Sequence, residues 1–339
     1  MSLLENVWVV IALKLAIATV VIFAVALVIM FAELKVSAHM QSRIGPYFAG
    51  GRWGWAQVFA EILKFLQKED VIPTAADGPV FKAAPMVSLL GTYAVMVVIP
   101  LSPRLVVGDL DVGIFYALAA GAVSTVAILM AGWSSGNKYS LMGGLRSSAQ
   151  MVSYEISLAL AVVGALLVSG SLRPSEIVER QAGWFFQGWN VFGGGWQVLG
   201  FVIFVVAMFA ETNRLPFDLP EAESELVSGY LTEFSAMKFS MFFMAEYVNM
   251  ITGSALAVTL FLGGWQLGFP TGSLSGWPLW LLQIGAFVVK VAAFQFLFVW
   301  VRWTLPRFRY DQLMNIGWKR LLPLALANVF MTGLLIALR

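Results

Sequence analysis

Acidic and basic side chains set inside apolar runs are the residues of this chain best suited to moving protons. Lys14, Glu33, Glu155, Glu211, Glu246 and Lys290 lie within or at the ends of such runs. A charge at the centre of a membrane helix costs about 2.5–3.5 kcal/mol on insertion scales, a cost that neutral or paired states reduce. Groups of this kind either exchange protons or fix helix register by pairing. For the set, proton relay or charge coupling is the favoured reading; Lys14, seven residues into its run, is read instead as snorkelling outward. Beside them stands an acidic stretch, where Glu211, Asp218, Glu221, Glu223 and Glu225 fall within fifteen positions. Pro216 and Pro220 stop any helix from continuing through it. Glu221 and Glu225 stand four apart and repel when both are charged. Such a loop can change arrangement with its charge or its partner; a solvated acidic turn is the plainer alternative. A basic stretch, Arg302 to Asp311 with Arg307 and Arg309, offers electrostatic partners for these carboxylates, or serves only as a membrane anchor.

The elements that must hold these groups are spelled out by composition. Hydrophobic residues make up 60% of the 339 positions and charged residues only 12%, and mean hydropathy is +0.82. A soluble domain is about 45–50% apolar and about 25% charged, so the expected fold is all-α, a polytopic membrane helix bundle. Eight apolar runs of the length a bilayer requires are drawn near 7–32, 83–101, 114–133, 150–171, 196–213, 237–262, 278–304 and 318–338. The first is too long for a signal-peptide core and lacks a small-residue cleavage site, so it is read as a permanent span. One integral membrane domain, 1–339, is expected, with loops at 33–82 and 212–236. There is no cysteine and one histidine, His39. An ordinary iron–sulfur cluster, a disulfide and bis-His haem ligation within the chain are thereby excluded. No glycine-rich dinucleotide fingerprint and no metal site are read. Any redox chemistry belongs to a diffusible substrate or to partner chains.

Lys35, Arg43, Arg52, Lys64, Lys68 and Lys82 follow the first run, and Lys138, Arg146, Arg214, Arg307 and Arg309 follow the third, fifth and seventh. The opposite side holds only Arg104, Arg173, Arg180 and Arg339. The positive-inside rule then puts the acidic stretch in the cytoplasm and both termini on the outer face. In the first loop Trp53, Val58, Phe59, Ile62, Leu63, Phe65 and Leu66 recur at near-helical spacing, with Gln57, Glu61, Lys64 and Lys68 on the other face. This reads as an amphipathic helix lying in the membrane interface, or else as one packed on the bundle.

The motifs Gln41-Ser42-Arg43-Ile44-Gly45-Pro46, Lys68-Glu69-Asp70, Trp133-Ser134-Ser135-Gly136-Asn137-Lys138-Tyr139 and Ser153-Tyr154-Glu155 follow one another in order. Ala210-Glu211-Thr212-Asn213-Arg214, Pro216-Phe217-Asp218, Glu223-Ser224-Glu225-Leu226-Val227-Ser228-Gly229, Phe243-Met244-Ala245-Glu246-Tyr247 and Pro306-Arg307-Phe308-Arg309-Tyr310-Asp311-Gln312-Leu313-Met314 continue the series. In this order and spacing the chain resembles, over nearly its whole length, the quinone-site membrane subunit of respiratory complex I. Two departures are local: Glu33-Leu34-Lys35 stands where the family has Glu-Arg-Lys, and Gly45-Pro46-Tyr47 where it has Gly-Pro-Asn.

The resemblance implies a membrane subunit of a proton-pumping NADH:quinone oxidoreductase in a cell inner (plasma) membrane, or a thylakoid or organellar one. It would take quinone as substrate, helping soluble partners enclose the quinone chamber. FMN and iron–sulfur clusters would sit on those partners, and the small and antiporter-like membrane subunits would lie alongside. Besides these subunits and the lipid bilayer no partner is implied, nucleic acid included. Chamber or coupling residues are expected among Glu33, Arg43, Glu61, Glu155, Glu211, Arg214, Asp218, Glu221, Glu223, Glu225, Glu246, Lys290, Arg302, Arg307 and Arg309. Two rivals compete. A membrane anchor of an energy-converting hydrogenase would keep less of the acidic motif, and a stand-alone ion transporter would show the inverted repeats that are missing here.

Overall fold

The computed structural model describes residues 7–183, 186–193, 196–219, 226–269 and 276–338. The helices are α1 (Val7–Met40), α2 (Gln57–Gln67), α3 (Gly78–Met96), α4 (Gly113–Ser134), α5 (Lys138–Ser169), α6 (Pro174–Arg180), α7 (Gln197–Glu211), α8 (Ala236–Phe261), α9 (Trp277–Thr304) and α10 (Tyr310–Ala337). A short 3-10 turn, Gly229–Leu231, precedes α8. No strand occurs among the described residues beyond an isolated bridge between Ser102 and Leu105. The all-helical bundle agrees with the expectation from composition.

Seven of these helices are long and apolar enough to cross a membrane. The fifth expected run, 196–213, forms the 15-residue α7, about 22 Å long at 1.5 Å per residue. It ends where Thr212 turns its hydroxyl back to the Met208 and Phe209 carbonyls and Asn213 takes a positive φ. Three helices outrun their apolar segments. α1 continues from Ala32 to Met40, carrying Glu33 into a helix. α5 begins at Lys138, capped by the Asn137 side chain, which accepts from the Tyr139 amide at 2.9 Å. α10 begins at Tyr310 and passes through a π-turn over Ile316–Leu321. Pro323 follows that turn and has no N–H to give the preceding helical turn, so local widening relieves the clash.

α5 packs on α4, α7, α8 and α10, while α8 touches α1, α2, α3, α6, α7 and α9. These two helices form the centre. From Tyr247 to Phe261, α8 is almost wholly buried, whereas α1 exposes Leu13, Ile17, Val20 and Val28. An exposed apolar helix face is what a lipid solvent demands.

The amphipathic helix is present as α2, over 57–67, with Phe59, Leu63 and Leu66 exposed and Val58 buried. Trp53 lies in the turn before it, also exposed. That turn needs glycine at Gly54: φ is +64°, and a Cβ there would meet the Pro46 carbonyl oxygen at 2.2 Å.

The loops after α1, α4, α7 and α9 gather at one end. The Asp77 amide donates to the Ser134 carbonyl, Asn137 donates to Glu233, Lys238 pairs with Asp70 at 2.8 Å, and the Phe308 amide donates to the Pro216 carbonyl. At the other end Arg173 pairs with Asp109 and Asp111. There Glu176 is held below the ordinary carboxylate range by the Ser171 hydroxyl and then by Arg180.

Candidate functional site

Arg214, just beyond the end of α7, is 3% exposed. A buried guanidinium must find anions, and it finds two from distant segments. Its Nη1 lies 3.0 Å from Glu33 Oε1 on α1, and its Nε pairs with Glu246 on α8. Its plane lies 4.7 Å from the Tyr247 ring centroid. Tyr247 in turn donates its hydroxyl to Glu33 Oε2 at 2.8 Å. Arg302 of α9 pairs with Glu33 as well. Two carboxylates and two guanidiniums thus balance in a buried cluster assembled from four segments.

Behind this cluster the acidic stretch is anchored at its base. Gln150 of α5, fully buried, donates from Nε2 to the Ala210 and Phe217 carbonyls, at 2.8 Å each. Asp218 pairs with Arg307 at 2.8 Å. Phe217 packs its ring on both Tyr154 and Phe308. The expected pairing of basic and acidic stretches is therefore seen at Arg307–Asp218, whereas Arg302 pairs with Glu33 of α1 instead. Among the described residues Arg309 takes no part: it is exposed, 3.7 Å from Asp311. Glu221, Glu223 and Glu225 lie outside the described residues.

Glu211, the last residue of α7, faces Glu155 of α5 across a cavity of about 160 Å³. Glu155 accepts from the Thr125 hydroxyl at 2.8 Å. α4 approaches Glu211 at Gly121, where a Cβ would come 3.3 Å from its Oε1. A smaller cavity, about 30 Å³, lies between Glu211 and Glu246. A third, about 230 Å³ and mostly apolar, is walled by α1, α2 and α8 through Met30, Glu61, Phe65, Phe243 and Tyr247. Carboxyls lining hydrated space can take up and release protons, provided their oxygens are within one water of each other.

Glu61 lines the apolar cavity and accepts from Gln57 at 3.1 Å. Arg43 lies in the exposed loop after α1, held to Gln41 at 2.6 Å, beside an open groove with Ile44, Tyr47 and Phe48. Lys290 is set apart from all the carboxylates named above. It donates to the carbonyls of Leu262, Gly264 and Gln266 at 2.7–2.9 Å and lies over the Trp189 ring. Leu262 is the C-cap of α8 and Gly264 and Gln266 lie in the turn beyond it, so the lysine supplies donors to the helix end and to the turn that leaves it. Lys14 reaches the Val106 carbonyl at 3.5 Å. Sequence reasoning did not single out Tyr247, Gln150 or Thr125 as site residues. The available signal was polar character within apolar runs, which is costly in a membrane even without charge.

Comparison with known proteins bears on this site. A family model described as NADH dehydrogenase matches residues 13–333. The chain is 48% identical over 321 residues to NADH-quinone oxidoreductase subunit 8 of Rhodothermus marinus, covering 92% of this chain and 93% of that one. It is 48% identical to the NADH-quinone oxidoreductase subunit designated H in Salinibacter ruber, over 91% of each chain. The subunit of the same designation from Bacillus cytotoxicus is 47% identical, over 90% of this chain and 87% of that one.

Proposed function

Given that this chain belongs to the NADH dehydrogenase family, as a membrane subunit of a multi-chain NADH-quinone oxidoreductase, we propose that it forms part of the quinone chamber and couples quinone reduction to proton translocation. The observation that carries this reading is the continuity of its polar groups. Tyr247 lines the apolar cavity and also holds Glu33. Glu33 shares Arg214 with Glu246. Glu246 and Glu211 line one cavity, and Glu211 and Glu155 the next. The series runs from an apolar groove suited to an isoprenoid tail and its ring into the middle of the bundle.

Quinone takes two electrons and two protons to become quinol. The electrons would be supplied by FMN and iron–sulfur clusters held on soluble partners that complete the chamber. The protons, and the charge change that accompanies them, are felt at the Glu33–Arg214–Glu246 cluster. Its ion pairs repack, and the carboxyls of Glu246, Glu211 and Glu155 hand protons inward toward the antiporter-like subunits. Asp218, with Glu221, Glu223 and Glu225 of the same acidic sequence, answers to the chamber. Arg214 belongs to both the acidic stretch and the cluster, which makes the stretch the candidate for the two-state element that such coupling requires.

Glu211→Gln in the assembled enzyme tests the reading. Quinone reduction is expected to fall about tenfold or more, in line with loss of a proton-transfer group. NADH oxidation by a water-soluble acceptor that bypasses the chamber should continue unchanged. A Glu211→Gln enzyme with normal quinone turnover and normal proton stoichiometry would sink it.

The Lys and Arg bias supports placing the α2 end in the cytoplasm and both termini on the outer face. The chain has no native cysteine, so single introduced ones report sidedness cleanly. Lys68→Cys should be labelled by an impermeant maleimide only from the cytoplasmic side, and Arg104→Cys only from outside. The reverse pattern overturns this orientation.

A further inference from the structure

We propose that the side-chain amide of Asn249 is a positioning residue for proton movement, holding water in the neck between the two cavities on either side of Glu211. The inference rests on the carboxyl route described above and adds a group to it that does not itself titrate.

Among the described residues, only Glu211 and Asn249 line both cavities. Glu211 comes from α7 and Asn249 from α8, so the boundary shared by the two cavities is built by residues of two different helices. Asn249 stands three positions after Glu246, one turn along the same helix face. Thr252, one further turn on, lines the larger cavity with Glu155. The spacing thus carries a polar stripe on α8 from the Arg214 cluster past Glu211 toward Glu155. On α4, the missing side chain of Gly121 leaves room beside Glu211, since a Cβ there would come 3.3 Å from its Oε1.

A carboxamide offers two N–H donors and two acceptor lone pairs at once. It can therefore hold a water whichever way that water's hydrogens point. This is the requirement for a proton to pass: one O–H bond at a carboxyl breaks as one forms on water, and that water releases a different proton to the next carboxyl. Each transfer leaves the water as it was, turned over, and Asn249 must accommodate both orientations. It neither gains nor loses a proton. An aliphatic side chain of similar size would dry the neck, since apolar cavities stay empty of water.

The test compares Asn249→Thr with Asn249→Val in the complete membrane-bound enzyme. The two side chains have nearly the same shape and differ by a hydroxyl in place of a methyl, so a purely packing role would affect both alike. Quinone reduction and protons moved per two electrons are measured, with reduction of a water-soluble acceptor as the control for assembly. The threonine enzyme is expected to keep at least about a third of the native quinone rate, and the valine enzyme to lose about tenfold. Equal rates for the two, or native stoichiometry in the valine enzyme, overturn the proposal. Asn249→Ser and Asn249→Ala form a smaller pair read in the same way should the branched residues prevent assembly. Glu211→Gln in the same series separates the two levels. If it is impaired while threonine and valine are equal, Asn249 alone is excluded; if it is unimpaired, the carboxyl route fails.

Discussion

Arg214→Met is expected to remove most of this subunit from the assembled complex. The guanidinium is buried between Glu33 and Glu246, and among the described residues only Arg302 supplies a second cation, at Glu33. Methionine fills much of the same volume but leaves two carboxylates to share one arginine. Breaking a buried pair from one side costs about 3–5 kcal/mol, because the remaining charge stays buried and uncompensated. Against a total stability of about 5–15 kcal/mol for a typical fold, that is enough to deplete the folded chain. Arg214→Lys should rescue little. One ammonium cannot span two carboxylates and stack on the Tyr247 ring as a planar fork does. The double variant Arg214→Met with Glu246→Gln restores one acid to one base and should recover part of the loss. The measurement is subunit content on native gels together with thermal unfolding of the solubilised complex. Native abundance and an unchanged Tm in the single variant would show that the cluster is not held as described.

Gln150→Leu is expected to loosen the base of the acidic loop while leaving α5 intact. Among the described residues its Nε2 is the one side-chain donor joining Ala210, at the end of α7, to Phe217, beyond the turn. Each carbonyl keeps a weaker backbone partner, Asn213 N at 3.4 Å and Leu219 N at 3.1 Å. The loss is therefore that of two ordinary buried hydrogen bonds, together about 2 kcal/mol. That corresponds to a roughly thirtyfold larger open population of the loop. Gln150→Glu should do no better, since a carboxylate would face two carbonyl acceptors with no hydrogen to offer. Hydrogen exchange at the amides of 212–219 reads the effect directly. Exchange there at the native rate in the leucine variant would show that Gln150 does not hold the loop.

The spans were legible because lipid is an unforgiving solvent. It requires about 20 apolar residues per crossing, and the helices fall on the predicted runs. α2 was legible for a related reason, since its apolar face has to recur at helical spacing. The extensions were not. Residues 33–40, 138–149 and 310–317 are polar enough to read as loop, yet they are helical because they pack on protein rather than on lipid. Lys290 shows the limit most plainly. Its place within a span marked it as costly to bury, and that holds; hydropathy carries no information on what relieves the cost. The structure supplies three backbone carbonyls at the far end of α8 in place of a carboxylate partner.

What the sequence determined by itself was the solvent, the helical class, the family resemblance and the set of charged groups from which a site had to be built. Tertiary structure alone decided the partnerships. Glu33 meets Arg214 across 181 positions and Arg302 across 269, and no local pattern records such a pairing. It also promoted two uncharged residues, Gln150 and Asn249, that composition passes over. The physical reason is the same in both cases. Sequence reports the desolvation cost of each group separately, whereas hydrogen bonds and ion pairs that offset it depend on distances that exist only after the helices have packed.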